Sequence, residues 1–134
     1  MSTHAYVTAV DLLTQALAFT PEDDYSAHFE LLAMREQAHM LLRDQQARAR
    51  DVSALERVAA LTQQLPHQLV ATLRSATLAE ETTHYWEAIT AANAALKLAV
   101  AAGDRAAQVE AHLVAGRAHW WRGEISLAHR GVLF

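Results

Sequence analysis

HYWEAITAANAALKLAVAAGD, residues 84–104, is the stretch that decides the fold. Read as a helix from His84 to Ala102, it stops at Gly103 in the C′ position and hands over to Asp104 as the N-cap of a successor. Thr82 and Thr83 are the expected caps at its start. Ala88, one turn into this helix, has counterparts in Ala9, Ala49 and Ala128, at intervals of 40, 39 and 40 residues. A fixed period of that size marks a repeat array, and an array of helices offers a recognition surface more often than chemistry of its own.

Working outward, the apolar positions recur at helical spacing and the punctuation brackets seven segments. Tyr6 to Phe19 carries one apolar face of Tyr6, Ala9, Leu13, Ala16 and Leu17, and Thr20-Pro21 ends it. A second helix restarts near Glu22 to Tyr25, where Glu22, Asp23 and Asp24 complement the positive end of the dipole, and runs to about Arg43. Asp44-Gln45-Gln46 is a turn because the period requires one there. A third helix, roughly Ala47 to Gln64, presents Val52, Leu55, Val58, Ala59 and Leu65. Pro66 sits in the first turn of the fourth, which reaches about Glu81. After the fifth, a sixth helix spans Arg105 to Arg122, Gly123 is expected to close it, and a seventh is expected to begin at Glu124 and meet Gly131.

Composition narrows the class of function. The 134 residues include only 4 Gly and 2 Pro, and no stretch alternates as a strand would, which makes the chain all-α. A formal charge of −4 without a basic stripe argues against nucleic acid and against an anionic membrane as partners. The chain has no cysteine, so neither a disulfide framework nor a thiolate site is available; a cytoplasmic location is the expectation. Met-Ser-Thr-His lacks the regions of a signal peptide, and the most apolar run, Ala88 to Ala102, is interrupted by Asn93 and Lys97.

Short connections pair the segments into antiparallel helical hairpins. Aligned on the recurrent alanines, Tyr6, Gln46, Tyr85 and Ile125 precede them, while Leu13, Ser53, Ala92 and Val132 follow. In the first helices Gln37, Ala76 and Gly116 fall together, and a small residue there lets two backbones approach. Gly116 with Arg122-Gly123-Glu124-Ile125-Ser126-Leu127-Ala128, Tyr85-Trp86-Glu87-Ala88, and Tyr6-xx-Ala9-xxx-Leu13-xx-Ala16 closed by Pro21 resemble the tetratricopeptide repeat. The resemblance implies a right-handed α-solenoid of about seven helices, a variant with a repeat longer than the family's usual length of about 34 residues. On this reading residues 1–134 form one repeat domain: a half repeat 1–21, repeats at about 22–64 and 65–103, and an incomplete repeat 104–134. The interrupted first and last repeats are expected to mark a fragment of a longer array, or ends that pair with a second copy as a homodimer.

Candidate chemistry is sparse. Glu36-xx-His39 and Glu81-xx-His84 carry metal-ligand spacing, but the second straddles a helix boundary, and exposed or capping histidines are the simpler reading. No HExxH, phosphate loop or nucleophile signature occurs, so neither catalysis, a cofactor nor a metal is expected.

The resemblance places the binding groove on the first helices. Arg35 and Arg74 occupy equivalent places there, with Met34, Thr77, Glu80 and Arg117 as neighbours, and stacked arginines would grip an acidic segment. Alternatively, each arginine pairs with a carboxylate of another helix. Trp120 and Trp121, adjacent on one helix, point to different faces; one is expected in the core, the other toward a further hairpin or a partner copy. Trp86 is expected in inter-helix packing. The function that follows is a non-enzymatic interaction module binding a peptide, a partner helix or a second copy. The alternative is a sensor segment of a larger multidomain regulator.

Overall fold

A computed structural model describes residues 3–129, six helices with no strand among them. These are α1 (Thr3–Phe19), α2 (Tyr25–Leu41), α3 (Gln45–Thr62), α4 (Leu65–Glu81), α5 (Tyr85–Ala102) and α6 (Arg105–His129). From α2 onward the first residues, Tyr25, Gln45, Leu65, Tyr85 and Arg105, are spaced 20 apart, so the 40-residue period of the sequence divides into two equal helical steps.

The turns explain that regularity. Arg43, Gln63, Thr83 and Gly103, again 20 apart, are the four described residues with positive φ, between 54° and 66°. In three of these turns the chain closes the helix twice: Asp44, His84 and Asp104 donate their N–H groups to the carbonyls of His39, Ala79 and Ala99, and the preceding residue donates to Met40, Glu80 or Val100. Such a doubly bonded left-handed exit satisfies two of the carbonyls a helix end leaves open. The residue after each exit then starts the next helix, with Asp44 and Asp104 accepting from the N–H groups of Ala47 and Ala107. Asp24 does the same for Ala27 at the start of α2.

Two expectations change here. His84, not Thr82 or Thr83, is the N-cap of α5; Thr82 donates its hydroxyl back to the Leu78 carbonyl and Thr83 takes the left-handed exit. Gly123, next in the 20-residue series, does not end a helix, and α6 continues to His129. Glycine inside a helix costs about 1 kcal/mol relative to alanine, too little by itself to oblige the helix to stop. Gly131 and Val132, assigned to a seventh helix, lie outside the described residues.

Two compact units meet inside α4, between Ala71 and Thr72. In the first, Phe29 and Leu32 of α2, Leu55 and Ala59 of α3 and Ala71 form one core, with Leu17 of α1 packed against it. The apolar face read from α1, Tyr6 through Leu17, is half-buried throughout. His67 stacks on Phe29 at 4.2 Å between ring centroids and shares a 3.0 Å hydrogen bond with the Thr62 hydroxyl. The core of the second unit is smaller in side-chain volume: Ala76, Ala88, Ile89 and Ala92 with Val114 and Ala118 of α6.

The register of the packing differs from the alanine alignment. Ala88 is fully buried, but Ala49 is exposed and its neighbour Arg48 is buried; Gln37 is exposed and Glu36 is buried. The repeat is therefore 40 residues between these hairpins, pairing Glu36 with Ala76 and Arg48 with Ala88. Arg48 Nε donates to Glu36 Oε2 at 2.9 Å, both side chains out of water. An ion pair in the first unit fills the place that two alanines fill in the second.

Arg48→Met alone should cost about 3–5 kcal/mol, because it removes the guanidinium bonded to a buried carboxylate. Glu36→Leu with Arg48→Met, apolar and of similar volume, should return to within about 1 kcal/mol of the native chain in urea unfolding. A double variant as unstable as the single would disprove the attribution to charge. In the turns, Thr83→Gly should raise the stability by about 1 kcal/mol and Gly103→Ala should lower it by a similar amount, since only glycine adopts positive φ without a steric penalty. Thermal unfolding of the two variants checks the opposite signs.

Candidate interaction surface

Arg35, the first groove candidate, projects from α2 onto α3. Its Nε and Nη2 donate to Asp51 Oδ1 at 3.1 and 2.7 Å, and Nη1 donates to the Thr14 hydroxyl of α1 at 3.2 Å. His39, one turn on, places Nδ1 2.7 Å from Asp51 Oδ2. Asp51 is almost wholly buried, and its desolvation is offset by the guanidinium fork on one oxygen and the imidazole on the other. The carboxylate that Arg35 engages thus comes from another helix, 16 residues away.

Among the other candidates, Glu80 and Arg117 come together. Arg117 Nε and Nη2 donate to the two carboxylate oxygens of Glu80 at 2.8 and 3.0 Å, linking α4 to α6 in the second unit. The hydrogen bond to Glu80 raises the pKa of Arg117; partial burial opposes the shift, and the charges of Glu80, Glu110 and Glu81 reinforce it. Thr77 donates its hydroxyl to the Leu73 carbonyl of its own helix. Arg74 lies in the second unit and Arg35 in the first.

Both tryptophans of α6 face solvent, Trp120 57 % and Trp121 44 % exposed, so neither is the core residue expected of one of them. Their rings instead meet edge to face at 4.7 Å. The core-facing role is taken by Ala107, Ala111, Val114 and Ala118, small enough for α6 to lie close against α5. Trp86 is also exposed, with the Arg122 guanidinium 4.9 Å over its ring. These two residues, with Glu87 and Ile125, line a cleft of about 710 Å³ between the start of α5 and the end of α6.

A second apolar surface is a stripe along α6. Val109 and Leu113 are 59 % and 53 % exposed, Gly116 is exposed, and Trp120 completes the run. At 100° per residue these four positions fall within an arc of about 60°, opposite the arc that packs on α5. A methyl group built on Gly116 meets nothing within 4 Å. Sequence reasoning passed over Val109 and Leu113; spacing of four, three and four residues with Gly116 and Trp120 was the available signal.

Among the described residues no three His, Cys, Asp or Glu side chains converge as a metal site would require, and no helix is long and apolar enough to cross a membrane. Comparison with protein-family models, with curated proteins and with solved structures finds no match for this chain.

Proposed function

We propose that this chain is a non-enzymatic interaction module, a tetratricopeptide-like array whose preformed helices present an apolar seam to a protein partner. The observation that carries the reading is the exposed stripe Val109, Leu113, Gly116 and Trp120, on the face of α6 turned away from its own core. A helix with apolar residues on two opposite faces is suited to burial between neighbours, and among the described residues the second apolar face of α6 is exposed. The equal helical steps and repeated turns further support a right-handed solenoid of hairpins, the architecture that the sequence resemblance implies.

The charged groups fit this reading better than a catalytic one. Asp51, Glu36 and Arg48 are buried and engaged with one another's elements, and Glu80 and Arg117 neutralise each other across two helices. These pairs brace the helices that carry the surface. The acidic-partner groove built on Arg35 is correspondingly the weaker form of the proposal, since a ligand carboxylate would have to displace Asp51.

A photo-crosslinking amino acid at position 120 tests the module directly in the native host. Discrete protein adducts are expected there, with none at the exposed Ala60 of α3 as a control. Adduct formation at position 120 no greater than at position 60 would refute an interaction role for this face.

A further inference from the structure

The cleft at the start of α5 exists because α6 does not stop at Gly123. It runs on to His129, 25 residues against the 18 of α5, and so overhangs the start of its antiparallel partner by about 10 Å. Ala107, Ala111, Val114 and Ala118 form the line by which α6 packs on α5. Ile125, seven residues after Ala118, continues that line within about 20°. It is nonetheless 52 % exposed, because α5 begins only at Tyr85. A core-facing position has thereby become the wall of a cleft whose volume, about 710 Å³, lies within the range of small-molecule sites.

Two charged side chains line this cleft, Arg122 from α6 and Glu87 from the first turn of α5. Arginines that face another helix elsewhere in the chain end on a carboxylate: Arg35 on Asp51, Arg48 on Glu36 and Arg117 on Glu80. Arg122 instead lies with its guanidinium carbon 4.9 Å over the Trp86 ring, and among the described residues neither Arg122 nor Glu87 forms an ion pair. Stacking occupies one face of a guanidinium and leaves the N–H groups along its edge available, the geometry that receives a carboxylate through two parallel hydrogen bonds. Glu87, when ionised, can only accept, and so suits an ammonium group.

The rest of the lining is mainly apolar, with the exposed Trp86 ring, the half-buried Tyr85 and Ile125. His84 also borders the cleft, but its Nδ1 is engaged 2.9 Å from the Thr82 hydroxyl. A simple organic anion would satisfy Arg122 and bring a second negative charge beside Glu87; a simple amine would do the reverse. One molecule carrying both charges on an apolar body answers the whole lining.

We infer that this cleft binds a small zwitterion of the class of the free apolar α-amino acids, with Arg122 on its carboxylate, Glu87 on its ammonium group and Trp86 and Ile125 against its side chain. The site is separate from the stripe of Val109 to Trp120, which lies on the opposite side of α6. It holds or fails independently of a protein partner there.

The full chain titrated with leucine, phenylalanine and tryptophan to about 10 mM, a range that covers weak small-ligand affinities, tests the inference by NMR. The readout is the indole N–H resonance of Trp86, identified among the three tryptophans by its absence in Trp86→Phe. At least one of the amino acids should shift it saturably. The amine and the acid made by removing one charged group from the tightest of them should each bind at least about tenfold more weakly, the scale of a charge-assisted hydrogen bond. Arg122→Gln and Glu87→Gln, both at exposed positions and checked for native helicity by circular dichroism, should each weaken the amino acid by a similar factor. Arg122→Gln should also abolish its advantage over the amine, and Glu87→Gln its advantage over the acid. No saturable shift with any of the three, a shift unchanged in Arg122→Gln, or an acid or amine that binds as tightly as the amino acid each overturns the inference.

Discussion

The ion pair between Glu36 and Arg48 is the constraint on which the first three helices depend. Removing two charges from water carries a penalty that is recovered only when they meet in good geometry, and 2.9 Å with both side chains buried meets that condition. Sliding α2 along α3 by a single helical turn would move the charges apart by about 5.4 Å and break the bond between them. The second network extends the same restriction outward, because Arg35 holds Asp51 of α3 with its fork and Thr14 of α1 with its remaining nitrogen. Three helices that otherwise share mainly non-directional contacts are given one register by five polar side chains and a threonine.

The second unit occupies an equivalent frame with opposite chemistry. Positions 35, 36, 39, 48 and 51 become Ser75, Ala76, Ala79, Ala88 and Ala91 when the repeat advances. Here close approach replaces charge: methyl groups let the backbones come together and gain dispersion contacts along the seam. Alanine contacts discriminate poorly between registers, because a shifted alanine meets another alanine. In the second unit directional contacts fall at the edges, through Arg117 with Glu80 and the paired exits at Thr83 and Gly103. Identical helix lengths and turns can thus be held either by directional charge or by small-residue packing, since both need only a defined separation at one crossing point.

Those two solutions also explain what could be read from the sequence. Helix positions, the apolar face of α1 and the boundary at Gly103-Asp104 were legible because capping and periodicity act over a few neighbouring residues. An alignment on Ala49 is displaced by one because it matches residue size, whereas the buried partners there match in charge: a carboxylate on one helix and a guanidinium 12 residues later. Arg35 presented the same difficulty, since no residue at helical spacing along α2 pairs with it and Asp51 becomes a neighbour only after α3 folds back. Gly123 carries a strong local stop signal in phase with the four turns before it, and the helix nonetheless continues. A C′ glycine permits an exit; whether the exit is taken depends on packing beyond it, which local sequence does not encode.

That distinction bears on the surface of α6. Hydrophobic side chains at the surface are ordinary when scattered, so the exposure of Val109 or Leu113 carries little weight alone. What sets this stripe apart is its spacing: its four positions fall within one narrow arc of α6, with a glycine near the middle. Trp120 is the largest of the four side chains, and its ring is braced by its edge contact with Trp121. The interaction role proposed for this face would draw on its shape, a large ring at one end, a gap at the middle and branched aliphatic side chains at the other.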